Sequence, residues 1–327
     1  MIYKCRNCGG NTVFDAAKHR LVCPNCRSED SGESVESGKM TQCVMCGAEL
    51  EVKDFSSALR CGHCRTWQIL TERTSGDYEP HLVIPFCVGK EQAEEILRKE
   101  FKTRLFTPGS FLSGSSLEEL QGSYVPFWLY DYDSECDFEA VGTKVRTWRS
   151  GNTEYTETSR YRVVRDLSIN FERIPADASF GMEDGIMDLM EPYEYKELTQ
   201  FEPMYLSGFF SEVYNDKPEV FEPRAKDKAR GASEECLQST IGGYVTLSPV
   251  KKEFNIRLKG TKYALFPVWI YRYRYQGKEY PFYVNGQTGK VVGKSPVSIG
   301  SIAAVGFSFF VSAAVTAGAL LHFLEVL

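Results

Sequence analysis

Eight cysteines near the N-terminus have the spacing of metal ligands. They form four Cys-x2-Cys pairs, arranged as two groups in which the pairs are separated by 14 residues. The first group is Cys5, Cys8, Cys23 and Cys26, and the second, 38 residues further on, is Cys43, Cys46, Cys61 and Cys64. Two such pairs can surround one tetrahedral Zn²⁺ with four thiolates. The spacing therefore predicts two four-cysteine zinc ribbons that hold two structural Zn²⁺ ions.

Other uses of paired cysteines fit the sequence less well. Disulfides need an oxidising compartment, and the N-terminal MIYKCRNC lacks the apolar run of a signal peptide, so a reducing cytosol is expected. A redox-active Cys-x2-Cys normally stands alone beside a βαβ pattern. His19 and His63 lie within the two groups, but four cysteines already complete each site. Both histidines are therefore expected at the surface.

Composition and charge restrict the possible functions. A chain of 327 residues with 43 % hydrophobic and 25 % charged residues can form one sizeable core plus small appendages. The net charge is −6, whereas a protein that coats nucleic acid needs a basic surface. Nucleic acid is therefore not expected as the main partner.

The pattern along the chain predicts its domain organisation and an α+β fold. The predicted segments are zinc ribbon 1 at 1–28, a flexible linker at 29–41, zinc ribbon 2 at 42–70, a linker at 71–80, an α+β domain at 81–296 and a transmembrane helix at 297–325. The first linker is rich in Ser, Gly and acidic residues, which is typical of flexible connections.

The α+β domain contains an internal duplication. Apolar residues at helical spacing predict one amphipathic helix in KEQAEEILRKEFKTRL and a second from about 223 to 241, where Ala225, Ala229, Ala232 and Cys236 share one side. An aromatic strand follows each helix, beginning at Tyr124 and at Phe266. The sequence therefore predicts a duplicated unit of a helix plus antiparallel sheet, with one hairpin turn near Gly151-Asn152.

Charged residues alternate along these two strands. Acidic side chains share one face of the first strand from Asp131 to Glu139, and Arg272 and Arg274 share one face of the second. One hypothesis pairs the two strands so that Asp131 and Asp133 meet these arginines. A cation site on the acidic face and a simple solvated face are the alternatives.

The C-terminal segment is apolar and free of charge. From Ile299 to Leu324 it has no Asp, Glu, Lys or Arg, and a helix of this length reaches about 39 Å, enough to cross a hydrocarbon core of about 30 Å. Lys290 and Lys294 precede it, which predicts a cytoplasmic N-terminus. We expect a single-pass plasma-membrane protein, in contact with the lipid bilayer through this helix. A buried core helix is the alternative.

No residue pattern predicts catalysis. The segment Gly289 to Ser295 resembles a phosphate-binding loop, but its first spacing is one residue short and Pro296 follows where a helix should begin. No cysteine or serine stands beside a histidine as nucleophile and base, and Cys87, Cys136 and Cys236 are expected to be buried thiols. The protein is therefore predicted not to be an enzyme.

Several motifs together resemble a known family. They are the CRNC, CPNC, CVMC and CGHC cysteine pairs, VIPF before a charged helix, YVPFWLYDYD, LMEPYEY, and FPVW followed by VNGQTGKVVG. In this combination the chain resembles the YdjG-like bacterial membrane proteins with TFIIB-type zinc ribbons. The resemblance implies partners among SPFH-domain, TPM-domain and PspA-type proteins of envelope-stress machinery.

Taken together, these observations predict a membrane-anchored cytoplasmic adaptor. Its ribbons or its sheet would dock partner proteins at the inner face of the membrane. The alternative is a membrane-tethered nucleic-acid-binding protein, which must lose affinity steeply as salt is added. A third class, a membrane-associated enzyme, would need a concave polar site in the α+β domain.

Overall fold

The computed structural model describes residues 1–29, 32–36, 41–104, 107–108, 120–179, 182 and 184–325. Its helices are α1 Lys90–Thr103, α2 Asp184–Met190, α3 Pro218–Ser239 and α4 Ile299–Glu325. Its strands are β1 Ile2–Lys4, β2 Val13–Asp15, β3 Arg20–Val22, β4 Glu33–Val35, β5 Ser56–Arg60, β6 Trp67–Ile69, β7 Leu82–Val83, β8 Gln121–Ser150, β9 Thr153–Asp177, β10 Thr199–Gln200, β11 Phe210–Glu212, β12 Thr246–Tyr275, β13 Lys278–Asn285 and β14 Val291–Gly293.

Three very long strands form the centre of the main sheet. β8 and β12 have 30 residues each and β9 has 25, whereas strands in globular proteins usually have about five or six. β8 is buried on both faces over 122–130, and from Tyr132 to Gly142 alternate residues are buried. The strand thus runs from a two-sided core into a region that is covered on one face only.

The connection between β8 and β9 is a two-residue turn. Ser150 lies opposite Thr153, and Gly151 has a φ of +63°, which glycine adopts without strain. The predicted hairpin at Gly151-Asn152 is confirmed. From this turn the two strands pair as far as Phe127 opposite Asp177, with one register shift between Tyr130 and Tyr132.

The main sheet joins the aromatic strands to part of the cysteine region. Its strand order is β10-β7-β12-β8-β11-β5-β6, with β9 paired to β8, β13 to β12 and β14 to β13. The two aromatic strands pair antiparallel, with Phe266 opposite Val125, so the prediction that they share one sheet is confirmed. β5 and β6 lie within the predicted ribbon 2, which therefore continues the sheet. β4 lies within the predicted linker 29–41 and pairs with β1, while residues 30–31 and 37–40 of that linker lie outside the described residues.

The predicted fold class is wrong in its balance of elements. The prediction was an α+β fold with a duplicated helix plus antiparallel-sheet domain, but the described part of the chain is mostly sheet, built on β8, β9 and β12. The reason is that alternation of apolar and charged residues continues along these strands well past the aromatic stretches. The predicted aromatic strands are therefore parts of longer strands, β8 and β12.

Helices α1 and α3 pack on the sheet through narrow stripes. α1 buries Ala93, Leu97 and Phe101, as its periodicity predicted. In α3 the buried positions are four residues apart: Ala225, Ala229, Ser233 and Leu237. The predicted face differs in its second half, where Ser233 and Leu237 are buried in place of Ala232 and Cys236. The Ser233 hydroxyl lies 2.8 Å from the Ser134 hydroxyl of β8, and Leu237 joins an apolar cluster of the sheet.

The charged faces of the long strands are paired differently from the hypothesis. Asp131 lies opposite Gly260, whereas Arg272 and Arg274 lie beyond the end of β8 and face β13. Asp131 and Asp133 therefore do not meet these arginines, and that hypothesis is wrong. The acidic side chains of β8 instead form ion pairs with lysines and arginines of the neighbouring strands. These pairs are Lys259–Asp133, Arg257–Glu135, Lys251–Asp137 and Arg162–Glu139. This is the pattern of a solvated, charge-matched face.

Two predictions about the C-terminal helix are contradicted. Within α4, side chains are described at 300, 302–303 and 307–318, and the other side chains of α4 lie outside the description. Among the described residues, no helix combines the length and the apolar character that crossing a bilayer requires. The predictions of a transmembrane helix at 297–325 and of a single-pass plasma-membrane protein are therefore wrong.

A partly buried ion cluster connects the end of β9 to α2 and α3. Arg224 lies 2.8 Å from both Asp177 and Asp188, and the Asp177 side chain is only 1 % exposed. Lys228 adds ion pairs to Asp188 at 2.6 Å and to Glu191 at 3.3 Å. Burial opposes ionisation of Asp188, but hydrogen bonds from Lys228 and Arg224 outweigh it and hold its pKa below the ordinary value. Burial raises the pKa of Glu191.

The raised pKa of Glu191 predicts a pH-dependent effect of Glu191→Gln. A carboxyl whose pKa is higher in the folded state contributes stability while protonated, and this contribution is lost as the pH rises through the folded pKa. Relative to the parent protein, Glu191→Gln is therefore expected to gain stability as the pH rises from 4 to 7. Urea unfolding at both pH values measures the difference. A relative stability that falls over this range would contradict the shift.

Candidate metal centres

Every cysteine pair lies on a tight turn, and the turns of both groups share the same backbone conformation. In each group the first cysteine of a pair donates its backbone N–H to a carbonyl five residues on, as in Cys5 to Gly10 at 2.7 Å and Cys43 to Ala48 at 2.8 Å. The residue after the second cysteine has a positive φ in every pair: Gly9, Arg27, Gly47 and Arg65. The 38-residue repeat of the sequence is therefore also a repeat of the backbone.

The turns bring the eight cysteines together in the two groups predicted from their spacing. The four thiols of each group lie within 4.8 Å of one another: Cys5, Cys8, Cys23 and Cys26 in one, and Cys43, Cys46, Cys61 and Cys64 in the other. Each group could hold one metal ion. His19 and His63 are exposed and belong to neither group.

Sulfur distances fit a tetrahedral metal rather than disulfides. The close contacts are Cys5–Cys26 at 3.6 Å, Cys8–Cys23 at 3.5 Å, Cys43–Cys64 at 3.5 Å and Cys46–Cys61 at 3.8 Å. A disulfide would require about 2.05 Å. Four sulfurs at about 2.3 Å from a central Zn²⁺ lie about 3.8 Å apart along the edges of a tetrahedron. The thiols are therefore spaced for a four-coordinate ion.

The thiols of each group have unequal proton affinities. Burial raises the pKa of Cys23 to about 11 and that of Cys43 to about 12. A backbone hydrogen bond lowers the pKa of Cys8. Burial would raise the pKa of Cys64, but hydrogen bonds from Thr66 outweigh it and lower the pKa to about 6. A cation that binds all four sulfurs must displace protons from the buried thiols, so metal uptake releases protons.

Polar side chains near the sulfurs were not anticipated from the cysteine spacing. Gln68 is 2 % exposed, donates to the Cys43 sulfur at 3.3 Å and accepts the Val44 N–H at 3.2 Å. Asn25 points its amide at the Cys8 sulfur at 3.7 Å. Such donors orient and stabilise thiolate ligands. The one sequence signal was a glutamine inside the apolar strand WQIL, since a buried amide needs partners.

The remaining cysteines lie outside both groups. Cys136 is 1 % exposed and Cys87 is half-buried, whereas Cys236 is exposed on α3. The prediction of a buried thiol therefore fails for Cys236, because the buried stripe of α3 passes through Ser233 and Leu237 instead.

Ribbon 2 is built into the main sheet. Its strand β5 pairs with β11, which in turn pairs with β8. Trp67 of β6 packs edge-on against Phe210 of β11, with ring centroids 5.0 Å apart. The terminal amine of Met1 donates to Ile69, and the Met1 carbonyl accepts the Ile69 N–H. Ribbon 2 is thus a continuation of the sheet rather than a tethered module.

Ribbon 1 meets the same region through hydrogen bonds. The Ser207 hydroxyl donates to the Thr12 carbonyl at 2.6 Å, and the Phe14 N–H donates to the Ser207 carbonyl at 2.6 Å. Gly208 has a φ of +110° and lies against Val13, where an added Cβ would come within 3.1 Å. Both cysteine groups are therefore held against one end of the sheet.

A cleft of about 770 Å³ lies where both ribbons meet the sheet. Its lining residues come from ribbon 1, ribbon 2, the start of α1 and the sheet, and they include Pro24, Arg60, Trp67, Lys90, Glu91, Phe210 and Trp269. The described lining holds both signs of charge beside apolar rings, but no Cys, Ser or His.

Comparison with known proteins relates the chain to one relative over nearly its whole length. No family model and no solved structure matches the chain. The uncharacterized protein YdjG of Bacillus subtilis (strain 168) is 38 % identical over 316 residues, which cover 92 % of each protein. At this identity and coverage, the chain belongs to the YdjG family.

Proposed function

We propose that both four-cysteine groups hold Zn²⁺ and that the two ions are structural. Each group supplies four thiols at tetrahedral spacing, and thiolates are the ligands that Zn²⁺ favours. With four protein ligands, a site has no open position for water or substrate. Each ribbon has only three-residue to five-residue strands, so metal binding supplies much of its folding free energy.

The function that the geometry supports best is that of a non-enzymatic adaptor that docks partner proteins. The observation that carries this proposal is the attachment of both ribbons to one end of the sheet, around a cleft with apolar rings. Metal binding then fixes the cleft wall that Arg60 and Trp67 form. Preorganised surfaces of this kind bind protein segments at a reduced entropic cost.

The partners proposed are those that the family resemblance implies. They are membrane-associated proteins of the SPFH-domain, TPM-domain and PspA types, acting in envelope stress. The cleft is lined by charged side chains of both signs and by aromatic rings, which is the composition of a protein docking site.

Partner capture should depend on the cleft and on the metal. Arg60 is exposed, lines the cleft and stacks its guanidinium 5.8 Å from the Trp67 ring centroid. In a pull-down of the full-length protein from native extracts, Arg60→Glu and Cys43→Ser/Cys46→Ser are expected to retain less than about a tenth of the partner. Zinc analysis should give two ions per chain for Arg60→Glu and one for the cysteine variant.

The control is Lys53→Glu, which makes the same change of charge on ribbon 2 outside the cleft lining. It should capture partner as the parent protein does. Equal capture by all variants would refute the adaptor proposal. If salt-sensitive nucleic acid co-purifies in place of protein, the nucleic-acid-binding alternative replaces it.

A further inference from the structure

The long hairpin extends past the strand that flanks it. β12 pairs with β8 only as far as Thr246 opposite Thr143, whereas β8 continues to Ser150. Residues 144–150 pair with β9 on one edge, and no described strand pairs with their other edge. We call this edge, over Lys144–Ser150, the β8 open edge.

The backbone direction at the β8 open edge follows from one hydrogen bond. Val245 donates its N–H to the Thr143 carbonyl at 2.7 Å, so the Thr143 carbonyl points toward β12. Backbone groups of alternate residues point to opposite edges of a strand. The N–H and C=O groups of Val145, Thr147 and Arg149 therefore point to the open edge and can pair with an added strand.

The β8 open edge is basic. Lys144, Arg146 and Arg149 lie within it, and it contains no acidic residue, although the whole chain carries a net charge of −6. The nearby acids lie on β9, where Glu154 forms an exposed ion pair with Arg149 at 3.2 Å and Glu157 lies opposite Arg146. Over 144–160 the cations still outnumber the acids, with Lys144, Arg146, Arg149 and Arg160 against Glu154 and Glu157, so this end of the hairpin has a net positive charge.

Exposed aromatic rings extend the surface along one face of the hairpin. The Lys144 ammonium lies 5.5 Å from the ring of Tyr161, and Arg146 stacks 5.7 Å from the ring of Trp148. Trp148 stacks on Tyr155 with ring centroids 5.6 Å apart, and the two side chains are 43 % and 45 % exposed. These rings offer apolar contact to alternate side chains of an added strand.

We propose that the β8 open edge binds an extended acidic segment of a partner protein, which adds as a further strand. The backbone supplies hydrogen-bond partners at every second residue, and the cations select acidic side chains. A nucleic acid has no backbone N–H to pair with the open carbonyls, so the edge favours a peptide. The inference rests on the proposed adaptor role for its protein ligand, but the edge shares no residue with the ribbons.

The test uses a short fluorescein-labelled peptide of alternating Glu and Val and the full-length protein. Fluorescence anisotropy should show binding, and N-methylation of alternate peptide amides should weaken it at least about tenfold, because the added strand loses its hydrogen bonds. The corresponding Lys-Val peptide should also bind at least about tenfold more weakly. Equal binding of the N-methylated peptide would overturn the proposal in favour of charge attraction alone.

Two proline variants in one row of the hairpin locate the binding edge. Thr147 and Thr156 are opposite each other, with their hydroxyl oxygens 3.5 Å apart, and their backbone groups point to the two outer edges. Proline is tolerated where a strand N–H faces solvent, so both variants should keep the hairpin. Thr147→Pro is expected to weaken peptide binding at least about tenfold, and Thr156→Pro less than about twofold.

Other results would overturn the proposal in defined ways. Equal binding by the Thr147→Pro and parent proteins would show that the edge is not used. A single-stranded oligonucleotide that displaces the peptide and binds more tightly would assign the edge to nucleic acid. A dimer in sedimentation that Thr147→Pro abolishes would assign it to a second copy of the chain. Arg60→Glu separates the two proposals, because it should reduce partner capture while peptide binding is unchanged.

Discussion

Replacing Cys43 and Cys46 with serine is expected to lower the metal content from two ions per chain to one and to loosen part of the main sheet. Structural zinc sites contribute apparent binding free energies of about 10–16 kcal/mol near neutral pH, so a ribbon without its ion does not stay folded. The loss reaches beyond the ribbon, because β5 pairs with β11 and β11 pairs with β8.

Hydrogen exchange can follow this effect strand by strand. Amides of β5, β6 and β11 should exchange much faster in Cys43→Ser/Cys46→Ser than in the parent protein. The equivalent change in ribbon 1, Cys5→Ser/Cys8→Ser, should also remove one ion. It should leave the amides of β11 better protected from exchange than Cys43→Ser/Cys46→Ser does. The reason is that β2 and β3 form a separate two-stranded sheet.

A matched control is Cys236→Ser, which alters an exposed cysteine outside both groups. It should keep two ions per chain and the exchange rates of the parent. Retention of two ions by Cys43→Ser/Cys46→Ser would contradict the assignment of these thiols as ligands. Unchanged protection of β11 would contradict the coupling of ribbon 2 to the sheet.

Arg224→Met is expected to destabilise the protein by about 3–5 kcal/mol. The variant removes the cation that lies 2.8 Å from the Asp177 carboxylate, which is 1 % exposed. A buried carboxylate that loses its cation retains the full cost of its desolvation. Arg224→Met also removes one of the two cations, Arg224 and Lys228, whose hydrogen bonds lower the pKa of Asp188. Urea unfolding at pH 7 measures the change.

Two further variants test whether the lost stability comes from an uncompensated buried charge. Arg224→Met/Asp177→Asn removes both charges and should recover most of the lost stability, since no buried ion remains uncompensated. Arg162→Met breaks the exposed pair with Glu139, in which Arg162 is 72 % exposed, and should change stability far less. Equal losses from Arg162→Met and Arg224→Met would refute the role assigned to burial.

The metal centres were predictable because their information is local. Each Cys-x2-Cys turn closes within a few residues, through bonds such as Cys5 N–H to Gly10 carbonyl at 2.7 Å, so spacing alone places two sulfurs together. The hairpin at Gly151-Asn152 and the buried stripe of α1 are local in the same sense. A turn residue or a helical period specifies each of them.

Features that depend on distant partners were not predictable. The register of β8 against β12 decides that Asp133 meets Lys259 rather than Arg272, and a strand's own sequence does not contain the position of its partner. The buried face of α3 depends on contacts with the sheet, where Ser233 meets Ser134 and Leu237 joins an apolar cluster, because the small residues of the helix define only a weak stripe.

The sequence by itself determined which eight thiols form two groups, since short turns fix neighbouring ligands whatever the rest of the chain does. Only the tertiary structure decided that ribbon 2 continues the main sheet through β5 and β11. It also decided that β8 passes the end of β12 and leaves an open edge at 144–150. Both depend on where long strands begin and end relative to each other, which pairing between distant segments determines.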